Sequence, residues 1–374
     1  MKTLLARSLA VVTLSAAAAS PAAAQGAVDN TAFGTTSAEF LLLGAGARAA
    51  ALGGSFAAIA NDVTALYWNP AGLSLMTTAQ ASVSTYRYVA DTRYSWAGVA
   101  FPLSGGARAI GFQGATFGFS DQPVYTVEQP NGDGTTYSVA ESYLGVTYSQ
   151  QFSDRFSAGL SGKFINDKLG KTAGSAFAID FGTNFHASIG QRPIRASFVI
   201  QNLGSTLEHT GSALETQVDR EPPLDQTNIP QDPQQARLRT KDWGLPVIFR
   251  VGLAFDVMNS SATRLTVLSE FTQPNNSNPA ANGALEWSLV NIARTGFSVH
   301  ARGGYTYQPD NNLNADQAAA GFSSAVSSDE NMDGLAFGGG IAFNRGAFGL
   351  GVDYARRDMG ILGGTDYFSA SISW

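Results

Sequence analysis

Residues 247–257, VIFRVGLAFDV, carry an apolar side chain at every odd position, while the even set includes Arg250, Gly252, Ala254 and Asp256. A repeat of two residues is the period of a β-strand with unlike faces. The pattern returns at 297–307, where Phe297, Val299, Ala301, Gly303, Tyr305 and Tyr307 alternate with Ser298, His300, Arg302, Gly304 and Thr306. It returns again at 177–186, with Phe177, Ile179, Phe181 and Phe185 opposite Asp180, Asn184 and His186. Such runs match the ~9–11 residues that a tilted strand needs to cross a bilayer, about twice the ~5–6 residues of an ordinary soluble strand. A secreted, soluble β-sandwich is the alternative, and it fits these lengths poorly.

Read this way, the chain from residue 77 onward holds about fourteen strands, at 78–88, 94–103, 107–119, 141–152, 156–168, 176–187, 194–203, 247–258, 263–274, 282–290, 297–308, 335–344, 347–358 and 366–374. Short links follow even-numbered strands, at 104–106, 153–155, 259–262 and 345–346. The long polar segments 120–140, 204–246 and 309–334 follow odd-numbered ones. An even strand count with short turns at one end and long loops at the other predicts an all-β fold, a transmembrane outer-membrane β-barrel of antiparallel strands. The last strand, DYFSASISW, puts Phe368, Ala370, Ile372 and Trp374 on one face. A strand stopping on an aromatic resembles the signal read by barrel-insertion machinery, so that machinery is an expected partner through Trp374.

Composition and the amino terminus agree with export. Charged residues are only 14% of the chain, against about a quarter in a soluble protein, while glycine reaches 41. Lys2 and Arg7, an apolar run at 9–19 and Ala22-Ala23-Ala24 read as a signal peptide over 1–24, too short for a membrane anchor. With no cysteine there is no disulfide framework, and a net charge of −6 without a basic patch argues against nucleic acid. No enzyme chemistry stands out, and neither a cofactor nor a metal site is expected. His186, His209 and His300 lack ligand spacing, and no Gly-x-Ser-x-Gly elbow occurs. Residues 329–334, DENMDG, copy the first half of a calcium loop, but its twelfth position would be Gly340 where a glutamate is needed, so a solvated outer turn is expected.

Residues 25–76 precede the strands, and 40–60 within them are mostly apolar: FLLLGAGARAAALGGSFAAIA. Arg48 near the middle would cost ~2.5–3.5 kcal/mol in a lipid-facing helix, and each glycine weakens a helix by about 1 kcal/mol. The remaining place for so small-residued a segment is inside the barrel, as a helical hatch or plug. Asn69-Pro70-Ala71-Gly72 then turns the chain out of the plug and into the first strand.

The stretch GARAAALGGSFAAIANDVTALYWNPAGLS resembles the amino-terminal signature of the PorV/PorQ family, related to the FadL-type barrels that carry hydrophobic compounds. The matching positions are 46–49, Asp62 and 68–73; IQNLG at 200–204, LPVIFRVGLAF at 245–255, GALEWSL and HARGGYTY extend the likeness over most of the chain. The resemblance implies a non-enzymatic outer-membrane barrel with an amino-terminal hatch. Its best-known member acts in type IX secretion, accepting cargo proteins with a carboxy-terminal signal domain and presenting them to a sortase. Binding or shuttling of exported cargo is therefore the expected function. The alternative is a FadL-like channel for uptake or export of a small hydrophobic molecule.

Candidate site residues fall into three groups. Arg48, Asp62, Trp68, Asn69, Pro70 and Gly72 belong to the plug, where Arg48 is expected to pair with a lumenal carboxylate. Lys163, Asp180, Arg250, Asp256, Arg264, Glu270, His300, Arg302 and Asp353, with His186 and Arg195, fall on the polar faces of strands. Their mixed signs predict paired networks, as plug clamps or as ordinary polar filling of a lumen. Arg237, Arg239 and Trp243, with Lys241, close the long Pro-rich segment 204–246 and are candidates for contact with an exported partner. Outer-membrane lipid is expected around the barrel.

Overall fold

The computed structural model describes residues 34–103, 106–218, 233–308 and 334–374. The expected leader with its cleavage site after Ala24, the Pro-rich run 221–232 and the calcium-like residues 329–333 lie outside them. Sequence alternation resolves into strands β1 (Gln80–Arg87), β2 (Arg93–Leu103), β3 (Arg108–Pro123), β4 (Thr136–Ser153), β5 (Phe156–Leu169), β6 (Thr172–Ile189) and β7 (Arg192–Gly204). The second half supplies β8 (Ile248–Asn259), β9 (Thr263–Pro274), β10 (Ala280–Leu289), β11 (Phe297–Tyr307), β12 (Gly334–Arg345), β13 (Phe348–Asp358) and β14 (Gly364–Ser373). Each pairs antiparallel with its sequence neighbours, and β14 returns to β1 from Gln80↔Ser373 to Tyr86↔Tyr367, closing the sheet. The fifteen-membered sheet also includes the two-residue segment Thr210–Gly211, beside the start of β6. Closure removes the unpaired edge that lipid could not satisfy.

Alternation sets which face is which. Along β5, Leu160 and Phe164 point outward, while the alternate residues Ser161, Lys163 and Ile165 are buried. Next to them on β6, Phe177, Ile179 and Phe181 are exposed and Asp180 is fully buried. The large apolar side chains thus face lipid and the polar ones the lumen, the reverse of a soluble barrel. No helix among the described residues is long and apolar enough to cross a membrane.

Two long segments differ from the expectation. β3 runs on to Pro123 and β4 begins at Thr136, so much of 120–140 is a raised hairpin and not a loop. Beyond the bilayer both faces of a strand meet water, so pairing persists where apolar alternation stops. The 204–246 segment forms a second hairpin, Glu215–Val218 against Gln234–Arg237, and a bridge between Leu207 and Trp243 ties its two ends together.

Inside the barrel, residues 34–76 fold as a plug with two short helices, α1 (Ala47–Ala51) and α2 (Ala65–Trp68), and single 3-10 turns at Glu39–Leu42 and Pro70–Leu75. Gly46 before α1 and Gly53 and Gly54 after it have positive φ and confine that helix to five residues, so this apolar stretch never becomes one long helix. Phe40, Leu41, Leu52, Phe56, Leu66, Tyr67, Trp68 and Leu73 are buried in a core shared with the barrel wall.

Candidate functional site

The plug is fastened to the wall by the residues of its signature. Asn69 Oδ1 accepts from the Ala71 amide at 3.1 Å and so caps the 3-10 turn that starts at Pro70. Its Nδ2 donates to the carbonyls of Ala57 in the plug, at 2.9 Å, and Thr183 in β6, at 3.2 Å. Where a turn out of the plug is expected at 69–72, the chain stays inside as far as Met76, because the cap propagates a helical turn. Beneath it lies a bare floor: Gly159 and Gly182 face each other across β5 and β6. A Cβ on Gly159 would lie 2.4 Å from the Pro70 carbonyl carbon, and one on Gly182 2.2 Å from Asn69 Oδ1. Ser149 and Ser157 donate to the Ala71 carbonyl at 3.0 and 3.2 Å. Gly72 is held just as tightly, since a Cβ there would lie 1.8 Å from the Ala60 oxygen.

Trp68 joins the two ends of the plug, its Nε1 donating to the Ala45 carbonyl at 2.7 Å while Gly44 leaves room for the ring. Tyr67 donates to the Leu41 carbonyl at 3.1 Å; burial pushes its hydroxyl up to about 12, which keeps it a donor.

Opposite this floor, Arg48 crosses from α1 to the wall. Its Nε and Nη2 donate in parallel to both oxygens of Glu286 on β10, each at 2.9 Å, and Nη1 donates to Asp62 at 2.8 Å and Asn61 at 3.1 Å. Burial opposes the charge on Arg48, and the Glu286 and Asp62 carboxylates overcome it, holding the guanidinium above the ordinary arginine range. Glu286 is shared: Arg302 Nε lies at 2.8 Å and Arg264 at 3.9 Å, and Arg302 continues to Asp353 at 2.5 Å. Asp62 also accepts from the Thr64 amide at 2.9 Å, fixing the entry to α2.

A second fastening uses Glu270 on β9. One oxygen accepts the Phe56 and Ala57 amides of the plug, both at 2.9 Å, and the other meets Arg250 at 3.2 Å. Arg250 also donates to Gln201 at 3.0 Å and lies over the Trp68 ring, 4.9 Å from its centroid. Lys163 pairs with Asp180 at 2.7 Å and donates to Asn202, whose amide donates to Asp180 at 2.8 Å. Arg195 pairs with Asp256, which also accepts from Thr266 at 2.8 Å, and His300 meets Ser288 at 2.8 Å. His186 lies beside Arg195 in the register, with a buried Nε2 that has no hydrogen-bond partner among the described residues.

The wall of the lumen therefore has two characters. β5–β11 and β13 carry the ion pairs, whereas β14, β1, β2 and β4 present Tyr367, Tyr86, Tyr94, Trp96 and Tyr143, all buried. Tyr86 packs on Tyr94 and Tyr367 with ring centroids 5.2 and 4.1 Å apart. Among the described residues the buried hydroxyl of Tyr86 has no hydrogen-bond partner. Gln113 satisfies Trp96 at 3.0 Å and Tyr143 at 3.1 Å and reaches the Leu66 carbonyl of the plug at 2.6 Å.

Sequence reasoning placed Arg48 but missed Glu286, although Glu286 sits between the outward Leu285 and Trp287 and alternation alone would have put it in the lumen. The aromatic group went unremarked because aromatic side chains also populate the outer face. At the outer end, Arg237 and Arg239 are exposed, pairing with Glu215 at 3.5 Å and Glu208 at 2.9 Å. Trp243 is half-buried with Lys241 over its ring at 5.2 Å.

No family model and no curated protein matches the chain. Its fold is that of known hydrocarbon channels. The CymD monoaromatic hydrocarbon channel aligns over 91% of this chain and 98% of its own, with TM-score 0.53 and 11% identity. The Ralstonia pickettii toluene transporter TbuX aligns over 88% and 97%, with TM-score 0.50 and 11% identity. The P. putida toluene transporter TodX gives 88% and 96%, with TM-score 0.50 and 10% identity. The likeness is one of fold alone.

Proposed function

We propose that this protein lies in a bacterial outer membrane and passes a small hydrophobic molecule across it, with the plug of 34–76 as the gate. The observation that carries this reading is the two-sided lumen. An apolar plug lies against the aromatic group of Tyr86, Tyr94, Trp96, Tyr143 and Tyr367 on one side. On the other it is held by discrete polar latches at Arg48 and at the amides of Phe56 and Ala57. Each latch can break without stranding a wall carboxylate, because Glu286 keeps Arg302 and Glu270 keeps Arg250. Movement of the plug away from the aromatic wall would leave a greasy passage for a ligand of the same character. The fold shared with toluene and monoaromatic-hydrocarbon channels supports the ligand class.

A second reading, handling of exported cargo proteins in the manner of the PorV/PorQ family and type IX secretion, is favoured by the raised hairpin Glu215–Val218/Gln234–Arg237 with exposed Arg237 and Arg239. Gentle extraction from native membrane followed by mass spectrometry of bound polypeptides and apolar molecules separates the two. Stoichiometric hydrocarbon or lipid is the expected result, and secreted proteins sharing a carboxy-terminal domain would replace the first reading with the second. Flux of toluene into proteoliposomes should rise with protein content and fall to background if no passage exists.

A further inference from the structure

Outward-facing residues of the β1–β2 hairpin pair as Val83↔Ala97, Thr85↔Ser95 and Arg87↔Arg93. The last is the only pairing of two arginines in the described registers. Like charges directly opposite on one face of a sheet are destabilising, and neither guanidinium is in an ion pair with another described residue. Asp91 in the same turn is exposed and makes no ion pair among the described residues, and Asp366 is taken by Arg356 at 3.0 Å and Tyr354 at 2.7 Å. Both arginines line a 520 Å³ cavity, with Asp91, Asp366 and Tyr88 also on its walls. Below it, sharing Thr85 and Phe368, runs a second concavity of 840 Å³, within the ~300–1,000 Å³ range of ligand sites. Its floor is outward-facing Ser95, Ala97, Gly114, Thr116 and Ser142, and its banks are Val83, Leu144 and Phe368. Elsewhere these positions on the lipid face hold residues such as Phe177, Leu285 and Ile341.

The height of the site identifies its occupant. The Phe101–Trp374 ring pair, with centroids 6.2 Å apart, lies at the short-turn end of the barrel. Arg87 is eight residues up the strand from Ala79, which bonds Trp374. At ~3.4 Å per residue and a tilt of about 40° it sits roughly 20 Å higher, close to the top of the ~25 Å apolar band. A charged pair at headgroup level above a groove at acyl-chain level matches an anionic amphiphile, and arginine is suited to phosphate because its planar fork donates in pairs.

We propose that this face binds a phosphate-bearing lipid of the outer leaflet, its phosphate bridging Arg87 and Arg93 and an acyl chain filling the groove over Ala97 and Gly114. The proposal rests on the outer-membrane placement, not on the transported ligand. Purified full-length protein in mild detergent would be offered bisphosphorylated lipid A, phosphatidylglycerol, or phosphate-free diacylglycerol and dephosphorylated lipid A, with retention read by native mass spectrometry. Either phosphorylated lipid should be retained at least tenfold better than the phosphate-free pair, and the stronger of the two names the source. The double variant Arg87→Ser/Arg93→Ser should lose that preference. Ala97→Phe should lower retention tenfold while keeping the arginines, and heat-modifiable mobility reports that each variant is a closed barrel. Equal retention of phosphate-free lipid, or full retention by the arginine variant, would overturn the site. Fractionation of the cells tests membrane placement separately, so the two failures are distinguishable.

Discussion

Arg48 illustrates how one side chain can set the position of a whole segment. It makes a two-pronged contact with Glu286 while holding Asp62, so α1, the entry to α2 and the barrel wall share one guanidinium. Removing one member of a buried ion pair costs about 3–5 kcal/mol when the other is stranded. Glu286 keeps Arg302 at 2.8 Å, so Arg48→Ala is expected to cost less, about 1–3 kcal/mol. The expected readout is a plug that moves more often: current noise in planar bilayers should rise, and the urea midpoint should fall. Arg48→Lys keeps the charge but not the fork and should recover only part of the loss. If Arg48→Ala conducts as quietly as the parent, the contact is filling and not a latch. A steric counterpart is Gly182→Ala, whose new methyl would meet Asn69 Oδ1. Overpacking of about 1–3 kcal/mol should shift the plug without touching a charge, read as faster proteolysis within 34–76.

At the scale of elements, the turn from Pro70 to Leu75 is where the plug is most tightly built into the wall, through Asn69, Ser149 and Ser157. Asn69→Ala removes a cap worth about 1 kcal/mol. It also strips the carbonyls of Ala57 and Thr183 of their donor, about 1–3 kcal/mol for each group left unsatisfied. Asn69→Asp restores the cap but not the two donated bonds, so it should rescue only a minor part of the lost thermal stability. Full rescue would reduce Asn69 to a simple cap. The strands themselves were legible because each crosses from water through lipid to water, which forces one apolar face over ten or so residues. β3, β4 and β6 run past that zone, and there the period-two signal fades although pairing continues. The plug was legible as a lumenal segment from Arg48 and its glycines, but its contacts were not. Glu286, Gly159 and Gly182 lie far from it in sequence, and only the strand register brings them to the same height. The aromatic group was hidden for a related reason, since a tyrosine on an outward or an inward row looks alike until the register of β1 against β14 is fixed.

For the molecule as a whole, plug and wall are separable in topology but joined in energy. The sheet closes through β1 and β14, and no strand of the closed sheet lies in 34–76. The barrel can therefore keep every ladder hydrogen bond when the plug is gone. What it loses is the shared apolar core and the partners of Glu270 and Glu286, both buried. In an emptied lumen those carboxylates meet water, and they keep Arg250 and Arg302, so their desolvation cost falls as their plug contacts vanish. Deleting 34–76 while retaining an export leader is thus expected to give a barrel that still inserts and shows heat-modifiable mobility. It should unfold at lower temperature and conduct ions through a stable, wide pore, whereas the parent should conduct only in brief events. Conductance in planar bilayers, compared between the deletion and Arg48→Ala, orders the effects: deletion should give the full open level, and the point variant brief visits toward it. A deletion that fails to assemble would mean that the plug guides closure of β1 onto β14, and the plug would then be a folding element before it is a gate. Equal, low conductance in an assembled deletion would mean that lumenal side chains alone occlude the passage, which would move the gate from the plug to the aromatic wall.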